Sequence, residues 1–171
     1  MVKTPDQVRT MIEDWFNDTG IQYENVTESQ KSNNPELEWA LLLGNTCVLY
    51  MITKRPDRVN VENPIIFSDK YQDASEKLDK KNFLDFINSI NEPPVVAGLS
   101  TIFKSENQRI TELKISDYID TEELTRGKLF HIIDRIAYMH AHVIRKVQTK
   151  LDLESATLTN IQDKSHKAMY G

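Results

Sequence analysis

The chain has a single cysteine, Cys47, among 171 residues. One thiol permits no internal disulfide framework, and the compartment it implies is the reducing cytoplasm. Glycine is scarce as well. The five glycines stand at 20, 44, 98, 127 and 171, too scattered to cradle a phosphate. No apolar run approaches the roughly 20 residues needed to cross a bilayer. The opening MVKTPDQ leads into an amphipathic pattern without the apolar core of a signal peptide. Positive charge is also short: 21 Lys and Arg face 26 Asp and Glu, a net charge of −5. That balance disfavours binding to phosphate backbones as the main activity. The expectation is a cytoplasmic protein with neither a membrane nor a nucleic-acid partner.

What is present describes a globular chain. Hydrophobic residues make up 39% and charged residues 27%. The length suits one domain, which buries roughly 70% of its unfolded surface. Residues 1–151 are expected to form that domain, with 152–171 as a flexible or weakly helical tail. Charge is uneven along the chain. Residues 1–40 carry a net −5 and residues 121–151 a net +3, and packing of the two terminal helices near each other accounts for this simply.

The order of elements follows from periodicity. Thr4-Pro5-Asp6-Gln7 has the form of a capping box with proline in the first turn. Val8, Met11, Ile12, Trp15 and Phe16 then repeat as one buried helical face over about 5–18, closed by Gly20. Residues 28–36 read as a loop. Leu37, Trp39, Leu41 and Leu43 alternate as a strand, Gly44-Asn45-Thr46 turns, and Cys47–Lys54 is apolar on both faces, so central in a sheet. A turn at Arg55-Pro56-Asp57 precedes a third strand through Val59 and Val61 to Phe67. Residues 68–91 read as helix, broken near Leu78–Asp79 and ended by Pro93-Pro94. Residues 95–103 read as a fourth strand, with Gly98 as a bulge or close-approach site, and 109–118 as a fifth. Asp120 with Glu123 suggests the cap of a last helix over about 121–151. The result is an α+β domain with one antiparallel sheet in the order α-β-β-β-α-β-β-α.

That last helix, TEELTRGKLFHIIDRIAYMHAHVIRKVQTKL, holds three of the four histidines. At about 100° per residue, Ile136, Met139, His140, Val143, Ile144 and Val147 fall on one apolar face. His131, Asp134, Arg135, Tyr138, His142 and Arg145 fall opposite. The apolar stripe is broad, and these six apolar-face residues are its candidate interface. His140, on the seam, is expected to be a buried histidine hydrogen-bonded to a carbonyl or carboxylate. No catalytic, metal-binding or cofactor residue is expected. His131 and His142 lack histidine partners one turn away, and Cys47 sits in a core strand without the electropositive setting of a nucleophile. Neither Ser68 nor Ser100 stands in a G-x-S-x-G frame.

Four segments carry a family resemblance: TPDQVRTMIEDWF, EWALLLGNTCVLYMI, NPIIFSD and GKLFHIIDRIAYMHAHVIRKV. Together they resemble the type III secretion chaperone-like fold, a group that takes in YbjN-like proteins and small archaeal proteins known only as domains of unknown function. The resemblance spans about residues 4–150 and implies a dimeric module that holds other polypeptides. The expectation is therefore a noncatalytic protein-binding module, chaperone-like or adaptor, with a second copy of itself and another polypeptide as its partners. The alternatives are a small enzyme whose site assembles only in three dimensions, and a nucleic-acid-binding regulator.

Overall fold

A computed structural model describes residues 3–44 and 47–151. The elements run α1 (Pro5–Thr19), β1 (Tyr23–Asn25), α2 (Thr27–Lys31), β2 (Leu37–Leu43), β3 (Cys47–Ile52), β4 (Arg55–Ile66), α3 (Asp69–Glu76), α4 (Lys80–Val96), β5 (Ser100–Glu106), β6 (Arg109–Asp120) and α5 (Arg126–Lys150). The strands form one antiparallel six-stranded sheet in the order β1-β2-β3-β4-β6-β5. The α+β fold with a long last helix is as expected. Asn45 and Thr46 of the first hairpin connection and the tail 152–171 lie outside the described residues. Contacts gather the described residues into two compact units, those up to 62 with 117–134, and 63–116 with 135–151.

In the first unit, α1 is built as its sequence dictates. The Thr4 hydroxyl accepts from the Gln7 amide at 3.3 Å, and the Gln7 carbonyl oxygen Oε1 accepts from the Thr4 amide at 2.9 Å. Two otherwise unmet backbone donors are thereby satisfied. Val8, Ile12 and Phe16 are fully buried, and Gly20 closes the helix at φ 71°. Residues 28–36 are not all loop. Glu28–Lys31 belong to α2, and the preceding β1 pairs with β2. Both elements are too short to announce themselves by periodicity. They are held instead by Thr27, whose hydroxyl accepts from the Ala40 amide at 3.0 Å. Val26 packs with Leu37, Ala40, Leu42 and Val48, so β2 is buried on both faces.

The second turn of the sheet falls at Thr53-Lys54, not at Arg55–Asp57, because Ile52 pairs with Arg55. Glu36 explains the shift. Its carbonyl accepts from the Thr53 amide at 2.8 Å and the Thr53 hydroxyl at 3.0 Å, and its carboxylate pairs with Lys54.

In the second unit, the break between α3 and α4 falls where expected, with Asp79 capping α4 through the Asn82 amide at 2.9 Å. Pro93-Pro94, however, does not end α4, which continues to Val96. Proline removes the amide that would bond the carbonyl four residues back. For Pro93 that carbonyl belongs to Ser89, and it accepts from Lys146 Nζ at 3.1 Å. Gly98 is no bulge either. It stands just past the helix at φ 74°, with its own amide on the Val95 carbonyl at 2.9 Å and the Leu99 amide on Pro94 at 2.9 Å. This is a Schellman cap. The fourth strand consequently starts at Ser100, not at Val95.

The β5–β6 connection is the two-residue turn Asn107-Gln108, both at positive φ (49° and 66°), the form that suits the twist of a hairpin. Gln108 Nε2 donates to the Leu78 carbonyl at 2.9 Å. The adjacent Arg109 reaches α3, with Asp73 at 2.7 Å and Gln72 Oε1 at 3.0 Å.

Candidate functional site

α5 starts later than its acidic prelude suggests. Asp120 belongs to β6, where Arg58 Nε donates to Oδ1 at 3.1 Å, and the Thr121 amide donates to Asp57 at 2.8 Å. Those bonds keep Asp120 in the strand. Thr125 caps instead, its hydroxyl accepting from the Lys128 amide at 3.3 Å. The helix is 25 residues long.

In the first unit its opening turns lie against α1. Phe130 stacks on Phe16 with centroids 6.0 Å apart, and Arg126 approaches Asp18 at 3.8 Å. This is the packing of terminal helices that the uneven charge suggested. Leu129 and Ile132 are buried.

In the second unit the apolar stripe turns inward. Ile136, Val143 and Val147 are buried within the chain, while Met139, His140 and Ile144 are half-buried. Ile144 and Val147 line a cavity of about 10 Å³ with Ile65, Phe67 and Tyr71, a gap in core packing too small for a ligand. Three of the six candidate interface residues are thus core residues of the chain itself. The breadth of the stripe is used up by the fold, and Met139, His140 and Ile144 alone keep some exposure.

His140 departs from its expected environment. Its Nε2 is buried without a hydrogen-bond partner, and burial lowers its pKa from 6.5. An imidazole in such a place resists charging. His131 is exposed, and His142 stacks against Tyr138 at 6.4 Å. Cys47 is 6% exposed, and burial, aided by the charge of Glu62, pushes its thiol up to about 12. A thiol held protonated is no nucleophile at neutral pH.

A broad cleft of about 1060 Å³ opens in the first unit, between Lys3 and Thr4 on one side and Asp57, Arg58 and Asp120 on another. Arg58 is committed there to Asp120 and lies over the Tyr118 ring at 4.1 Å. None of the described histidines lines it. Among the described residues no three His, Cys, Asp or Glu side chains converge as metal ligands, and no helix is long and apolar enough to cross a membrane.

Sequence periodicity gave no warning of several exposed apolar side chains on α4 and β5. Leu84, Val95 and Val96 on α4 and Ile102 on β5 are 51, 53, 81 and 56% exposed. The relevant signal was the apolar pair that follows Pro93-Pro94, which reads as a strand as long as the prolines are taken to end the helix. Asn91 hydrogen-bonds Thr101, tying this end of α4 to β5. β5 is one of the two outer strands of the sheet, and its outer edge pairs with no strand among the described residues.

No protein-family model matches the chain, and no curated protein matches it. Among solved structures it is similar to an uncharacterized protein from Methanothermobacter thermautotrophicus. That likeness has a TM-score of 0.74 at 13% identity and covers 84% of this chain and 99% of the other. YbjN from E. coli gives a TM-score of 0.47 at 6% identity over 82% of this chain and 90% of its own. The first likeness shows a shared fold, and the second is slighter.

Proposed function

We propose that the chain is a noncatalytic protein-binding module, chaperone-like or adaptor, that holds an extended or unfolded polypeptide at the α4–β5 surface. The observation that carries this reading is an outer strand, β5, that carries the exposed Ile102 and is preceded by the exposed Val95 and Val96. An outer strand offers backbone donors and acceptors to an added strand, while apolar side chains beside it supply the hydrophobic contact. A bulge between Lys104 and Ser105 interrupts regular pairing in the second half of β5. The first half, Ser100–Phe103, is therefore the segment suited to receive a client.

The test is light scattering from a heat-aggregating test polypeptide with and without the protein. Wild type slows aggregation, and the double variant V96D/I102K, altered only at exposed positions, loses most of that effect. Aggregation that proceeds unchanged beside wild-type protein refutes the reading.

A further inference from the structure

The outer face of α5 carries a stripe that complements itself. Asp134, Tyr138, Ala141 and Arg145 follow one another at intervals of four, three and four residues, the spacing of a coiled-coil seam on one continuous helix. All four are exposed, and Tyr138, at 67%, is among the most exposed large side chains of the described residues. Asp134 and Arg145 form no ion pair among the described residues. The sequence along the stripe is acid, aromatic, small, base.

We infer that this face docks against the same face of a second copy of the chain, with the two α5 helices antiparallel. A two-fold axis midway between Tyr138 and Ala141 sets Tyr138 over Ala141 of the partner subunit and Asp134 against the partner's Arg145. Symmetry repeats both contacts, giving two aromatic-on-alanine contacts flanked by two ion pairs. The small Ala137 and Ala141 let the helices approach closely. Tyr138 is already stacked on His142 at 6.4 Å, so its ring loses little freedom on docking. Charge selects the orientation. A parallel pair sets Asp134 against Asp134 and Arg145 against Arg145, which is repulsive, whereas the antiparallel pair joins opposite signs. A seam of one helix buries little area, so the dimer is weak and loosened by salt.

This inference does not rest on the polypeptide-binding reading, which concerns α4 and β5, and either can fail without the other. Sedimentation velocity of the full chain from micromolar to millimolar concentration tests it. Wild type is a monomer–dimer mixture that shifts toward dimer with concentration. R145D replaces each ion pair across the seam with two opposed carboxylates and raises the dimer dissociation constant at least about tenfold. The swap D134R/R145D restores it to within about threefold. Circular dichroism confirms folding of each variant, all changes being at exposed sites. A wild type that stays monomeric throughout, an R145D that associates like wild type, or a folded swap variant that stays apart overturns the inference.

Discussion

Lys146 on α5 donates its ammonium, at 3.1 Å, to the Ser89 carbonyl on α4, the acceptor that Pro93 leaves without a helical amide. A proline in a helix is costly chiefly because one carbonyl loses its donor and the ring crowds the turn before it. Here a cation 57 residues away makes good the first loss. K146M therefore destabilises the protein by about 1–3 kcal/mol, the usual cost of stranding a partly buried acceptor of a charged donor. In a P93A background an amide is again present for Ser89, and the cost of K146M shrinks. Urea denaturation of the four proteins in this double-mutant cycle measures the coupling.

The end of α4 supplies a second expectation. Gly98 sits at φ 74°, a conformation costing other residues about 1–2 kcal/mol. Space around it is open, so G98A lowers stability by about that amount through backbone strain alone. Thermal unfolding checks this, and an unchanged midpoint contradicts the cap.

His140 gives a pH dependence. Burial lowers its folded-state pKa below the 6.5 of the unfolded chain. As pH falls through about 6.5 the unfolded state takes up the proton first, so folding stability declines and the loss levels off below the folded pKa. Between about pH 7 and pH 5, wild type therefore loses more stability than H140L, in which the titrating group is gone. Urea midpoints across that range decide it, and parallel curves for the two proteins contradict the burial of His140.

Cys47 is silent toward thiol reagents in the folded protein. Its thiol is buried and pushed up to about 12, leaving almost no thiolate at neutral pH. Ellman's reagent is expected to modify it only as fast as the protein opens, and at once in denaturant.

Much of this architecture is written locally. The Thr4–Gln7 capping box, the buried face of Val8, Ile12 and Phe16, and the Asp79 break all depend on neighbours within a few residues, and each appears as expected. The misreadings share one cause, a distant partner. Lys146 carries α4 through Pro93, Glu36 moves a turn to Thr53-Lys54, Arg58 keeps Asp120 in its strand, and Ala40 anchors Thr27 at the head of α2. The candidate site suffered in the same way. The wheel of α5 sorted inner from outer residues correctly, with Ile136 and Val143 buried and Tyr138 exposed. Periodicity does not say what covers an apolar face. The chain's own core covers much of this one, while Val95, Val96 and Ile102 stand exposed on other elements.

The most direct test of the polypeptide-binding reading is fluorescence anisotropy of a labelled, permanently unfolded polypeptide titrated with wild-type protein and with V96D/I102K. The account predicts saturable binding by wild type, weakened about tenfold or more by the two substitutions. No binding by wild type, or equal affinity for both proteins, contradicts it.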